Sequence, residues 1–228
     1  MDERMLERLR AYYQDLSRTD TLAGRCSMSL PPWLSGLRVI DVLCRSGKGA
    51  FKLSDAVGDA GFVLGVDPDK SCIERAIAAA SGNHRSGHGW SRYLRFEQAF
   101  PENLVKAGVS DASYDAVYVN CGLADVFDLP AALAEFHRCL KPGGFLWVAE
   151  GVFRSARGYE DEASEEPAPM QPAPHRTLTI DVFAHLCRDA GFGRVEVGDV
   201  VPVPTSELAL PEGCEFASLV VADIKATA

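Results

Sequence analysis

The sequence predicts an α/β fold, a doubly wound and mostly parallel seven-stranded sheet with helices on both faces. Three observations predict it. Short apolar runs alternate with amphipathic stretches from residue 37 to residue 150. The run LRVIDVLCRSGKG at 37–49 places Asp41 near the end of a buried strand and Gly47 at the start of a helix. A second run, FVLGVD, ends in Asp67, twenty-six residues after Asp41. Strand, Gly-bearing turn, helix, strand and terminal acid is the order of a nucleotide-type cofactor site.

The elements follow in sequence. Residues 1–16 carry apolar or aromatic residues at 5, 6, 9, 12, 13 and 16, a helical stripe. The turn-rich piece SRTDTLAGRCSMSLPPW comes next. Strands are expected near 37–43, 62–67, 93–98, 114–120 and 143–149. Helices are expected near 48–59, 69–80 and 129–140, with a short one near 101–107. Asp128 is placed to cap the 129–140 helix, with Pro130 tolerated in its first turn. Pro142-Gly143-Gly144 stops the chain before the next strand. The acidic, Pro-rich stretch within 151–176 cannot pack a core and reads as a surface loop. A last helix over 178–190 precedes two edge strands near 193–203 and 215–224. An N-terminal helix and lid segment over 1–36 therefore precedes one domain over 37–228, which carries the acidic loop at 155–176.

Composition narrows the function classes. A chain of 228 residues suits one α/β domain. The net charge of −9 argues against a nucleic-acid partner, whose binding footprints are basic. No apolar run reaches the roughly 18 residues of a membrane span, so no membrane partner is expected. The opening MDERMLERLRAYY lacks an apolar signal core, so a cytoplasmic location is expected. Seven cysteines is an odd number, which argues against a disulfide framework and leaves packing, ligation or catalysis.

The loop after Asp41 departs from a Gly-x-Gly-x-Gly turn. Leu43 and Arg45 hold the first two glycine places, and Gly47 holds the third. Asp67 is placed to accept hydrogen bonds from ribose hydroxyls. A dinucleotide would need close backbone approach to its pyrophosphate, and Leu43 and Arg45 would crowd it. A cofactor without phosphates tolerates this loop better. Further signals are IDV at 40–42, VDP at 66–68, DAVYVN at 115–120 and LKPGGFLWVAE at 140–150. At these points the chain resembles the class I S-adenosylmethionine-dependent methyltransferases, which have a Rossmann-like fold. The resemblance covers about residues 37–150. It implies S-adenosylmethionine as cofactor, with Tyr13, Asp41, Leu43, Cys44, Gly47, Asp67, Pro68, Glu102 and Asn120 around it. Glycine serves where φ is positive or a ligand lies against the backbone. Three consequences of the changed loop stay open. The side chain at 43 or 45 points into the methionine part of the cofactor, Arg45 pairs with the cofactor carboxylate, or the loop is closed and the site lost.

Within that superfamily the chain resembles the arsenite methyltransferases. ENLVKAGVSDASYDAVYVNCGLADVFD, from Glu102, is similar to the family's Ser-Asn-Cys segment and places Cys121 directly after the fourth strand. ELALPEGCEFASLVVADIK is similar to its Gly-Asp-Cys-Arg-Phe segment and places a thiol at Cys214. AYYQDLSRTDTLAGRC is similar to its opening Tyr-Tyr-Gly and Asp-Leu-Lys-Thr-x-Ala-Cys stretch, with Cys26 matching either of two family cysteines. The resemblance implies that Cys26, Cys121 and Cys214 form the catalytic set and hold the substrate, an As(III) species. Trivalent arsenic is soft and takes thiolate ligands. Three thiolates hold it as a pyramid, and its lone pair can attack a sulfonium methyl in line, which asks for alignment more than for a base. A thiol reductant is a further partner this reading allows. Cys44, Cys72, Cys139 and Cys187 read as small buried hydrophobes.

The family's Gly-Glu-Cys-Leu-Gly-Gly segment has no counterpart here, so an organoarsenical stands beside arsenite as expected acceptor. A small organic acceptor is an alternative reading, and so is a non-catalytic thiol-metalloid binder. His84 and His88 lie in a Gly-rich stretch and read as a solvated loop. Tyr12 and Tyr13 read either as a cover over the cofactor or as helix packing.

Overall fold

The computed structural model describes residues 3–16, 28–82, 93–155, 178–203 and 219–228. The elements are α1 (Glu3–Leu16), β1 (Arg38–Val42), α2 (Lys48–Val57), β2 (Phe62–Asp67), α3 (Lys70–Gly82), β3 (Leu94–Gln98), β4 (Tyr114–Asn120), α4 (Leu129–Cys139), β5 (Leu140–Arg154), α5 (Ile180–Asp189), β6 (Arg194–Val197), β7 (Val201–Val203) and β8 (Leu219–Thr227). The sheet runs β3-β2-β1-β4-β5-β8-β6, with β7 paired to β8 off this path. The β3 to β5 portion is parallel, and β8 is antiparallel to β5, β6 and β7. Strand order reverses between β1 and β4, so the crevice beyond their carboxyl ends is where such sheets take ligands.

The alternation of side chains along each strand builds two cores. Val39, Val63, Ala116, Tyr118 and Phe145 face α2 and α3 residues such as Leu53 and Ile73. Ile40, Val42, Leu64, Val117, Leu146 and Val148 face the opposite way, toward Leu9, Leu133, Phe136 and Phe183 of α1, α4 and α5. A strand period of two and helix stripes of period 3.6 require this division. α1 therefore packs into the domain, with Leu9, Tyr13 and Leu16 buried. Asp128 caps α4 by accepting the Ala131 N–H at 3.0 Å, with Pro130 in the first turn, as its sequence position predicts.

Four boundaries differ from the sequence expectation. The strand expected from 143 begins at Leu140, because Leu140 already pairs with Tyr114 of β4, and the register shifts before Ala116 where Gly143 turns at φ 79°. The helix expected over 101–107 is reduced to a 3₁₀ turn at Val105–Ala107, held by Ala107 and Gly108 N–H bonds to the carbonyls of Leu104 and Val105. The strand expected over 193–203 splits into β6 and β7, which pair with separate stretches of β8 and make the sheet eight-stranded. β8 itself runs to Thr227. The acidic loop, His84 and His88 lie outside the described residues. Among the described residues no helix is long and apolar enough to cross a membrane.

Candidate active site

The loop between β1 and α2 keeps the backbone of a glycine loop without its glycines. Leu43 has φ 56°, Arg45 φ 51° and Gly47 φ 85°. All three former or present glycine places are thus left-handed, a conformation that costs a non-glycine residue about 1–2 kcal/mol. The loop is held by hydrogen bonds. The Cys44 N–H donates to the Val66 carbonyl at 3.0 Å, and the Gly47 N–H to the Cys44 carbonyl at 2.9 Å. The Arg45 N–H donates to Asp67 Oδ2 at 2.9 Å. Strained residues of this kind cluster at functional sites.

The changed side chains reach the turn after β4. Leu43 is buried, and a side chain at Gly122 would meet its Cδ1 at 3.1 Å. Leu43 therefore rests against the turn that follows β4. The Arg45 guanidinium reaches the same turn, with Nη2 3.1 Å from Asp125 Oδ2. Arg45 is about one-third exposed at 36% and Asp125 only 4%. Tyr12 of α1 donates its hydroxyl to the Asp125 carbonyl at 3.1 Å.

Asp67 ends β2 as the sequence predicts, but it is fully buried. Its Oδ2 accepts from Arg45 and its Oδ1 from the Asp69 N–H at 2.9 Å. Burial pushes its carboxyl above the ordinary range, partly offset by the Arg45 charge and the two amides. Asp41 is also buried, and any side chain at Gly49 would meet its Oδ2 at 2.9 Å. That approach explains the glycine in the first turn of α2. Cys44 turns away from the crevice into the α2/α3 core, where Gly65 leaves room for its sulfur. Burial first, and then the Asp41 and Asp67 charges, hold the Cys44 thiol protonated. Its side chain packs in the core, as the reading of Cys44 as a small buried hydrophobe expects, and of this residue only the backbone lines the loop around which the cofactor is expected.

Beyond Asp67 lies a cavity of about 330 Å³ between the ends of β2 and β3 and the underside of α1. Pro68, Asp69, Gln98, Phe100, Asn103 and Tyr13 contribute to its walls. Beside it, Tyr13 donates its hydroxyl to Glu102 Oε1 at 2.9 Å and accepts the Phe127 N–H at 3.1 Å. The Asp128 N–H also donates to Glu102 Oε1, at 3.1 Å. Glu102 Oε2 is buried with no hydrogen-bond partner among the described residues. Burial raises the Glu102 carboxyl, and burial followed by the Glu102 charge raises the Tyr13 phenol. A buried acceptor left open calls for a donor such as an exocyclic amine.

Asn120 ends β4 and Cys121 follows it at φ 56°. The Cys121 thiol lies 3.6 Å from Glu150 Oε2 and 3.8 Å from Asn120 Oδ1. Glu150 is turned there by a break in the β5–β8 register and its own φ of 49°. Its N–H is held by Asp223 Oδ1 at 2.8 Å. Cys26 and Cys214 lie outside the described residues. Cys72, Cys139 and Cys187 are buried on α3, α4 and α5, as expected for packing cysteines. Among the described residues no group of three His, Cys, Asp or Glu side chains could hold a metal ion.

The sequence singled out Tyr13, Asp41, Leu43, Gly47, Asp67, Pro68, Glu102, Asn120 and Cys121, and the structure brings them to one rim of the sheet. It missed Asp125, Glu150 and Asp223. Nothing in the spacing links Asp125 to Arg45, eighty residues earlier. The acid of WVAEGVF could have drawn attention to Glu150, since it interrupts an apolar strand.

The donor set fits an amino-acid-bearing nucleoside cofactor. The cavity and the open Glu102 oxygen suit an adenine, Asp67 suits a ribose diol, and the Arg45–Asp125 pair carries the two charges that complement an amino acid. Access to Asp67 and to that pair requires residue 45 to shift.

Comparison with known proteins agrees with this geometry. The family model of a methyltransferase domain matches residues 34–187. An arsenite methyltransferase of Aquipseudomonas alcaligenes is 28% identical over 187 residues, covering 82% of this chain and 53% of that protein. The chain thus spans about half the length of the arsenite methyltransferases it matches. A demethylmenaquinone methyltransferase of Geobacillus kaustophilus is 28% identical over 184 residues, covering 71% of this chain and 73% of that protein. The crystal structure of an arsenic(III) S-adenosylmethionine methyltransferase from Chlamydomonas reinhardtii shares the fold, with a TM-score of 0.71. It is 23% identical, and the alignment covers 96% of this chain and 72% of that one.

Proposed function

The chain belongs to the methyltransferase-domain family, and from that premise we propose that it methylates trivalent arsenic, arsenite or an organoarsenical, held by cysteine thiolates. The observation that carries this reading is the position of Cys121. Its thiol follows the last residue of β4, at the carboxyl end of the sheet, and the next residue touches the cofactor loop through Leu43. The relatives named arsenite methyltransferases support the same acceptor.

S-adenosylmethionine supplies an electrophilic sulfonium methyl when bound. Asp67 would hold its ribose, Glu102 its adenine amine, and the backbone of the 43–47 loop would lie along its methionine end. Cys121, with Cys26 and Cys214, would hold As(III) with its lone pair free. The protein's task is then alignment of a soft nucleophile with the methyl, so no general base is needed for the transfer itself. α1 covers the adenine side and excludes water there, with Tyr13 fixed between Glu102 and Phe127.

A second reading, methylation of a small organic acceptor, is favoured by the demethylmenaquinone methyltransferase that matches over 73% of its length. Calorimetric titration of the full chain separates the readings. Binding of both S-adenosylmethionine and As(III), with As(III) binding abolished in Cys121→Ser, is the expected result. Cofactor binding without arsenic binding points to the organic acceptor. Arsenic without cofactor points to a non-catalytic metalloid binder. Full arsenic affinity in Cys121→Ser refutes the three-thiol site.

A further inference from the structure

We infer that Arg45 and Asp125 form an exchangeable ion pair that serves as the receptor for the amino-acid end of the cofactor. This rests on the cofactor assignment above and goes beyond it by naming the two groups and their order of action.

The argument begins with where the pair stands. Arg45 follows β1 and Asp125 follows β4, the two strands between which the sheet order reverses. Their side chains meet at 3.1 Å across that crevice. Asp125 is nearly fully buried, so its carboxylate needs a cation beside it in any arrangement of the site. Arg45 is one-third exposed, so its guanidinium can turn outward without leaving a buried charge of its own. A ligand carrying both an ammonium and a carboxylate can enter between them with every charge kept in a pair. Its carboxylate takes the planar fork of Arg45, and its ammonium takes Asp125.

Residue 45 also couples the two halves of the site. Its N–H bonds the ribose acid Asp67 at 2.9 Å, while its guanidinium bonds Asp125. Its left-handed φ of 51° is strained for arginine, and these two bonds add to the Cys44 and Gly47 amide bonds that hold the loop. Breaking the side-chain bond removes one of these restraints, so the amino-acid end of a ligand loosens the residue whose amide rests on Asp67. A nucleoside alone has nothing to exchange with the pair.

The test uses two probes, S-adenosylhomocysteine and 5′-deoxy-5′-methylthioadenosine, which share the nucleoside and differ in the amino-acid end. Their affinities are measured by calorimetry on the full chain and on Arg45→Gly, Arg45→Lys and Asp125→Asn. The unaltered protein is expected to prefer S-adenosylhomocysteine by about tenfold to a hundredfold, the range for charge-assisted hydrogen bonds. Arg45→Gly and Asp125→Asn each reduce that preference to less than about threefold while leaving methylthioadenosine binding in place, which also shows that the variants are folded. Arg45→Lys retains part of the preference, because it keeps the charge and loses the fork. If S-adenosylhomocysteine binds and the preference is unchanged in both Arg45→Gly and Asp125→Asn, the pair is a structural strap and the inference fails alone. Tighter S-adenosylhomocysteine binding in Arg45→Gly also overturns it, by showing that Arg45 only blocks the site. If neither probe binds the unaltered protein, the cofactor assignment fails as well.

Discussion

Replacing Leu43 by glycine restores the first glycine of the loop, and its consequences for stability and binding have opposite signs. Leu43 sits at φ 56°, so glycine relieves about 1–2 kcal/mol of backbone strain. Against this, the side chain is only 6% exposed and packs in the core beneath the turn after β4. Truncating a buried leucine costs about 2–5 kcal/mol, and glycine adds about 0.4–1 kcal/mol through the unfolded chain. The balance is a net loss of about 0.5–5 kcal/mol, with about 2–4 °C in melting midpoint per kcal/mol for a domain of this size. The same truncation removes the contact with Gly122 that closes the crevice. S-adenosylhomocysteine should therefore bind Leu43→Gly more tightly than the unaltered chain. Urea denaturation followed by circular dichroism measures the first effect, and calorimetry the second. An equal or higher stability would mean that strain outweighs packing at this position. Unchanged or weaker binding would mean that the Leu43–Gly122 contact does not obstruct the ligand, and the account of a closed loop would be refuted.

Two further outcomes test other parts of the structure. Burial raises the Glu102 carboxyl above its ordinary value of 4.5, so the folded chain binds this proton more tightly than the unfolded chain does. Its contribution to stability is present in full below that value and is lost as pH rises through the folded value. Asp67, raised from 3.8 for the same main reason, acts with the same sign. Denaturation free energies measured from acid to neutral pH should show this decline, and Glu102→Gln should flatten part of it. An identical slope in the variant would remove Glu102 as its source. Gly65 of β2 has no room for a side chain, since a Cβ there would stand 2.5 Å from Phe96 Cδ1 and 3.1 Å from Cys44 Sγ. Gly65→Ala is expected to destabilise by about 1–3 kcal/mol in urea denaturation. An unchanged midpoint would show that Phe96 yields without cost.

Much of the fold was legible because its signals are local. Apolar runs of strand length, the Asp128 cap and the acid ending FVLGVD each lie within one element, and the elements form where those signals stand. The boundaries that shifted were those that pairing decides. β6 and β7 part because β8 offers them separate stretches, a partner that no local pattern names. The same limit applied to the site. Asp67, Glu102 and Cys121 could be picked out because each ends or follows a recognisable strand, and Tyr13 because of the family resemblance. Cys44 was legible as a buried cysteine but the core it joins was not, since it lies one position past Leu43 and points to the opposite side of the sheet.

The class of the fold, the rim of the sheet that carries the candidate site and the non-glycine residues at two places of its loop can all be read from the chain. These depend on periodicity and residue type, which are properties of neighbouring residues. The conformation of that loop emerges only in the folded sheet. Leu43, Arg45 and Gly47 all keep the left-handed backbone that glycine would adopt. The freed space is taken by Leu43 against Gly122 and by Arg45 on Asp125. That outcome depends on two strand ends, β1 and β4, being brought side by side by the sheet. Residues eighty positions apart acquire a shared electrostatic and packing environment only once the sheet has formed.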